Sequence, residues 1–190
     1  MSQPFFRLLL PILWLTWLLY WWVSARDVKP TQWRESLKSQ LTHRTPLILA
    51  ALLFGVTRWL PPALRARFLP ANTAVQALGA ILVAAGLGLS VWARRHLGRN
   101  WSAEVVVKEG HALIRTGPYR HLRHPIYSGI LLAILGTTVT IGEWRALAAF
   151  FLMVLSFAIK SRAEEGRMQA TFPEYARYQQ ESSAIIPFIW

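Results

Sequence analysis

Five apolar runs punctuate the chain, and each approaches the length that a helix needs to cross a bilayer. A helix rises about 1.5 Å per residue, so roughly 20 apolar residues cover a hydrocarbon core about 30 Å thick. The runs occupy residues 5–23, 46–60, 71–93, 126–142 and 144–160. The second is short. The last two are parted by little more than Gly142 and Glu143, the mark of a tight helical hairpin whose turn barely leaves the membrane. With 54% of its 190 residues hydrophobic, a water-soluble domain of this length would carry more apolar surface than it could bury. The pattern predicts an all-α, polytopic integral membrane protein with about five transmembrane helices, four being the alternative count. The first run reads as a retained span and not a secretory signal, because only Arg7 precedes its bulk and no small-residue cleavage site follows Trp21, Trp22 and Val23.

Charge is distributed between these runs. The formal net charge is +12, but the basic residues form no contiguous face, which argues against nucleic acid and for anionic lipid headgroups as partner. Most of the 21 Lys and Arg fall in residues 24–45, residues 94–125 and the tail from Lys160. On a five-span chain these regions share one side, leaving Arg7, Arg58, Arg65, Arg67 and Arg145 opposite. The excess marks the cytoplasmic side, so the N-terminus is expected outside and the C-terminus inside. There is no Cys, which excludes disulfides, Cys-based zinc sites and thiol catalysis, and no metal is expected. No repeat or low-complexity linker divides the chain. It reads as one domain, 1–190, with helices 1–3 in residues 1–93 and a catalytic half with helices 4–5 and the tail in residues 94–190. Trp14, Trp17 and Trp21 recur at helical spacing and are expected at headgroup level, while Gly79, Gly86 and Gly88 predict close helix packing.

Two segments on the expected cytoplasmic side are unusually polar for so apolar a chain. One runs through Leu97-Gly98-Arg99-Asn100-Trp101-Ser102 and Gly110-His111-Ala112-Leu113-Ile114 to Gly117-Pro118-Tyr119-Arg120-His121-Leu122-Arg123-His124-Pro125-Ile126-Tyr127-Ser128-Gly129. The other is Lys160-Ser161-Arg162-Ala163-Glu164-Glu165, followed by Phe172, Tyr175 and Tyr178. Pro125 suits the first turn of a helix, where its missing N–H is no loss. Helix N-terminal N–H groups beside His124 would seat an anion, unless Arg120, Arg123 and His124 are simply a basic flank on lipid phosphate. Glu164 and Glu165 gain nothing from anionic lipid and require a positive partner. That partner is either Lys160, Arg162 or Arg167, or a ligand carrying an ammonium, a sulfonium and ribose hydroxyls.

Together these segments, about half the chain, resemble the isoprenylcysteine carboxyl methyltransferase family, which includes related phospholipid and small-molecule methyltransferases. The resemblance rests on Arg-His-Pro-x-Tyr at Arg123 to Tyr127, Glu-Glu-x-x-apolar at Glu164 to Met168, and the spacing of Phe172, Tyr175 and Tyr178. It implies S-adenosylmethionine as cofactor, held under a cytoplasmic cap by positions matching His111, Leu113, Ile114, Tyr119, His124, Pro125, Ile126, Tyr127 and Glu164. It implies catalytic roles near Lys160, Arg162 and Glu165, although the family's acceptor-binding arginine is Lys160 here. Lysine keeps the charge but loses the bidentate fork that suits a carboxylate. The acceptor implied is a lipophilic small molecule or a lipid-modified group, methylated at the cytoplasmic face of a bacterial inner membrane by carboxyl O-methylation. Phospholipid N-methylation and small-thiol S-methylation are the alternatives on the same fold, and a membrane reductase using NADPH, its 2′-phosphate on Arg120 and Arg123, is a further one. A carboxylate or thiolate acceptor needs no base, whereas an amine or hydroxyl would call on His124, Tyr127 or Glu165.

Overall fold

The computed structural model describes residues 3–26, 31–34, 36–98, 101, 106–108 and 113–186. A helix lies on each of the five apolar runs: α1 (Gln3–Ser24), α2 (Leu37–Gly55), α4 (Thr73–Leu97), α5 (Pro125–Ile141) and α6 (Trp144–Thr171), with a short α3 (Pro62–Arg65) and α7 (Tyr175–Glu181). Among the described residues the helical pattern has one exception, an antiparallel pair of short strands, β1 (Thr31–Arg34) and β2 (Val106–Lys108). Two helices, α4 and α6, are long and apolar enough to cross a membrane, while the apolar helical stretches Leu8–Ser24 and Pro125–Ile141 are shorter.

Three helix boundaries differ from the sequence expectation for identifiable reasons. α2 starts at Leu37 and not at Pro46, because Ser36 caps it by accepting from Ser39 N at 3.3 Å. Pro46 lies inside the helix, where its missing N–H takes the helical donor from the Thr42 carbonyl, and at the next residue Ser156 Oγ on α6 donates to the His43 carbonyl at 2.6 Å. α2 also ends early, at Gly55, where Arg145 of α6 donates to the carbonyls of Leu53 and Phe54 at 2.8 and 2.9 Å. α6 continues beyond Lys160 to Thr171, carrying Glu164 and Glu165 on the same rod as the apolar span. The turn between α5 and α6 is as tight as expected, with Gly142 closing α5 at φ +65°.

Packing follows from small residues. α4 and α5 run antiparallel in close contact, with Gly79 against Gly136 and Gly86 against Gly129; a Cβ at any of the four would strike backbone atoms of the other helix. In a membrane, where lipid is as apolar as leucine, such approach is what drives helices together. Gly88 faces away with open space around it, contrary to the expectation that all three α4 glycines pack. α2 lies antiparallel along α6 over Ala50, Ala149, Met153 and Phe157. α1 packs on α4 through Leu10, Ala80, Val83 and Leu87. The tryptophan stripe is also placed differently from the headgroup position expected of it. Trp14 Nε1 donates to Thr137 at 3.1 Å and Trp17 Nε1 to Ser90 at 2.7 Å, so both indoles turn into the bundle. An indole N–H in lipid has no water to bond, and the hydroxyls of α4 and α5 supply its partner. Large side chains left exposed, such as Leu15, Leu52, Ile81 and Phe151, form the outer surface that lipid would cover.

Gly86→Ala should destabilise the detergent-solubilised protein by about 1 to 3 kcal/mol, the usual range for overpacking. Gly88→Ala should be neutral or slightly stabilising through helix propensity. Equal thermal midpoints for the two variants would remove the glycine contact as the basis of the α4–α5 pair.

Candidate active site

The polar groups singled out in the sequence meet where the start of α5 faces the extension of α6. Phe157, Lys160 and Glu164 follow one another at helical spacing on α6, so their side chains share a face. Tyr127, in the first turn of α5, lies between two rings. It stacks on Phe157 at 4.7 Å and on His124 at 5.4 Å, with interplanar angles of 7° and 5°. Its hydroxyl donates to Glu164 Oε1 at 2.6 Å. His124 stands between the two carboxylates, with Nδ1 3.3 Å from Glu164 Oε2 and Nε2 3.1 Å from Glu165 Oε1. Lys160 Nζ is 4.0 Å from Glu164 and 5.4 Å from the centre of the Tyr127 ring.

The electrostatics follow from this placement. Burial of the His124 imidazole disfavours its charged form, but hydrogen bonds to Glu164 and Glu165, together with their charge, outweigh burial and hold its pKa above the ordinary histidine value. Glu165 accepts from Arg123 Nε at 2.7 Å and from Gln179 Nε2 at 2.9 Å besides His124. Both glutamates therefore have partners within the chain, among them His124, Arg123, Lys160, Tyr127 and Gln179.

The amides just ahead of α5 are bonded within the chain. Arg123 N donates to the Ser183 carbonyl at 2.8 Å and His124 N to the Ala184 carbonyl at 2.9 Å, while Ser183 N returns a bond to His121 O at 3.0 Å. Ser128 Oγ donates to the Ile185 carbonyl. The segment from Ser182 to Ile185 thus lies along the entry to α5. Tyr178 of α7 adds a further tie by donating to the Tyr119 carbonyl at 2.5 Å, and burial pushes its pKa up to about 12, keeping the hydroxyl a donor.

Of the residues expected in the site, His124, Tyr127, Lys160, Glu164 and Glu165 are brought into mutual contact. Tyr119 and Ile126 form a buried apolar cluster with Ala93, against which Ile114 and Tyr127 pack, so these four make one wall beside the polar group. Pro125 is fully buried and Leu113 half-buried. Arg162 is exposed. His111 lies outside the described residues. The basic-flank reading fails for Arg123, whose side chain is only 11% exposed and turned onto Glu165, whereas Arg120 is exposed. The two arginines consequently do not converge on one phosphate. Sequence reasoning missed Phe157, Gln179 and residues 182–185. Phe157 was detectable as the position one turn before Lys160 on the Glu164 face, but a backbone carbonyl cap has no side-chain signature.

Comparison with known proteins fits this geometry. Residues 74–175 match the phospholipid methyltransferase family. The cobalt-zinc-cadmium resistance protein CzcN of Cupriavidus metallidurans is 31% identical over 145 residues, covering 74% of this chain and 58% of that protein. A probable protein-S-isoprenylcysteine O-methyltransferase of Oryza sativa is 30% identical over 143 residues, covering 73% of this chain and 75% of that one. The solved structure of the eukaryotic intramembrane Ras methyltransferase ICMT (isoprenylcysteine carboxyl methyltransferase) shares the fold, with a TM-score of 0.59 at 23% identity over 82% of this chain and 55% of that one. The chain belongs to the phospholipid methyltransferase family, a group of membrane methyltransferases with isoprenylcysteine O-methyltransferases among its relatives. It spans little more than half the length of the Cupriavidus protein and of the solved structure.

A histidine pKa raised by folding adds stability that is complete below the unfolded value near 6.5 and is lost as pH rises through the folded value. The stability gap between the parent and His124→Gln should therefore be widest near about pH 5.5 and narrow towards about pH 9 when thermal unfolding is followed in detergent. A gap that widens with pH would show that His124 is neutral in the folded protein.

Proposed function

We propose that this protein transfers a methyl group from S-adenosylmethionine to a lipid-like or prenylated acceptor at the cytoplasmic face of a bacterial inner membrane, with carboxyl O-methylation as the reaction. The observation that carries this reading is the meeting of Glu164 with the Tyr127 ring at the membrane end of α6. A carboxylate held this way suits ammonium and sulfonium groups, and the chain's own Lys160 ammonium already lies 4.0 Å from it. The residues present thus fit the donor. Glu164 would hold its cationic part, and the wall of Ile114, Tyr119 and Ile126 its apolar and ring surfaces.

When bound, the donor supplies an activated methyl on sulfur with a neutral thioether as leaving group, so no protein nucleophile is required. The chain's task is alignment and exclusion of water. Tyr127, clamped between His124 and Phe157, fixes the orientation of Glu164. His124 has a carboxylate on each ring nitrogen and Glu165 accepts from three donors, so neither is placed to serve as a base. This arrangement favours an acceptor that arrives ionised, such as a carboxylate, over the amine of a phospholipid. Lys160 would meet the negative head of that acceptor. Its tail would follow α6 towards an apolar hollow of about 370 Å³ between α2 and α6, lined by Leu49, Leu52, Leu53, Val56, Leu60 and Leu152. Leu152 lies about 12 Å along the helix from Lys160 at 1.5 Å per residue.

The proposed topology has five spans in one domain, helices 1–3 within residues 1–93 and the catalytic half within 94–190, N-terminus outside and C-terminus inside. Residues 113–127 and the tail as far as residue 186 would form the cytoplasmic cap. In support, Arg94 of α4 donates to Ser24 O at 2.5 Å and Tyr127 to Glu164, so the basic-rich ends of α1, α4, α5 and α6 gather at one end of the bundle.

The full-length protein should bind S-adenosylhomocysteine in isothermal titration and methylate a component of a lipid extract from a radiolabelled donor. Glu164→Gln should lose cofactor affinity by the worth of a charge-assisted contact, about 1.5 to 3 kcal/mol, while remaining folded. Parent-like affinity would take Glu164 out of the site.

Lys160→Ala should impair turnover far more than cofactor binding, and Lys160→Arg should keep or improve it by providing the fork that a carboxylate prefers. If the lysine only reaches for lipid headgroups, steady-state rates of both variants will match the parent.

A further inference from the structure

We propose that Arg123 is a positioning residue for the donor site, its guanidinium fixing Glu165 on one side and the C-terminal end of α7 on the other, so that Glu165 holds His124 against Glu164. The inference rests on the donor site proposed above. An arginine beside a membrane surface has anionic headgroups within reach, and Arg120, three residues earlier, is exposed in that manner. Arg123 is turned inward instead. Its Nε donates to Glu165 Oε1 at 2.7 Å, and its Nη1 donates to the Gln179 carbonyl at 3.1 Å and to the Ser182 carbonyl. A planar fork can serve a carboxylate and two carbonyls at once, whereas a lysine ammonium has one point of contact to divide among them.

The two glutamates are thereby given different work. Glu165 Oε1 receives Arg123 and His124, and Oε2 receives Gln179 at 2.9 Å, so its position is set by three donors from two separate parts of the chain. Glu164 is approached by Tyr127, by the opposite nitrogen of His124 and by Lys160. Glu165 acts as a fixed counter-charge behind the histidine, and Glu164, in front of it, meets the ligand. Any loosening of Arg123 would pass through Glu165 and His124 to Glu164 without Arg123 touching the donor.

The test uses the full chain in detergent, with S-adenosylhomocysteine as probe and donor and acceptor KM measured separately from kcat. Arg123→Lys should weaken probe affinity and raise donor KM by roughly tenfold, leaving acceptor KM and the ligand-free thermal midpoint near the parent's. Gln179→Met, which removes one outer donor to Glu165, should weaken affinity by roughly threefold. Because Arg123 acts through Glu165, Arg123→Lys combined with Glu165→Gln should bind no more weakly than Glu165→Gln alone. A merely structural arginine would lower the folded fraction, and with it apparent kcat, at unchanged donor KM. That outcome, additive losses in the double variant, or parent-like affinity in Gln179→Met should Arg123→Lys fail to fold, would overturn the proposal. If the parent itself does not bind the probe, the donor-site reading falls and this inference with it, and the parent measurement alone reveals that case.

Discussion

The close approach of α4 and α5 sets the position of everything at the polar end of the molecule. Two glycine pairs, Gly79 with Gly136 and Gly86 with Gly129, bring the backbones together at two heights, fixing both the separation and the axial register of the helices. With that register fixed, the start of α5 must lie beside the last turns of α4. Ala93 then packs with Tyr119 and Ile126, and Arg94 can reach the end of α1. The hairpin closed by Gly142 then returns α6 along the bundle, so that its extension delivers Glu164 and Glu165 to His124.

At that end the dominant physical problem is to bring charge out of water. A carboxylate taken from solvent alone is costly, and each one here is matched within the chain. The solution is a network of ion pairs and hydrogen bonds, in which His124 is shared by two acids and Glu165 by three donors. Networks of this kind hold a single geometry when every member is satisfied and lose it when one is removed. The stacked rings of His124, Tyr127 and Phe157 make the arrangement stiff in the direction perpendicular to their planes.

Much of this was legible in the sequence because the membrane imposes simple rules. Apolar runs marked the helices, and the hairpin between α5 and α6 followed from the lack of any linker at Gly142 and Glu143. The residues of the polar cluster were found because acidic groups beside a basic, lipid-facing stretch demand an explanation. What remained hidden was tertiary. Pro46 opened the apolar run, and its place inside α2, beside the His43 carbonyl that accepts from Ser156 of α6, is visible only in the folded chain. The inward turn of Trp14 and Trp17 depends on hydroxyls from helices distant in sequence. The capping of α5 by Ser183 and Ala184 is made by backbone carbonyls, which any residue type could supply.

That backbone cap has a bearing on biogenesis. Residues 182–185 follow α1 to α7 in the chain, yet they complete the surroundings of Arg123 and His124. A chain whose helices had packed before this segment docked would still have the amides of Arg123 and His124 bonded to water, and Arg123 without its Ser182 acceptor. Packing of the helices and maturation of the polar end are therefore separable steps, and a chain with its helices already packed would not yet have its polar cluster locked in place.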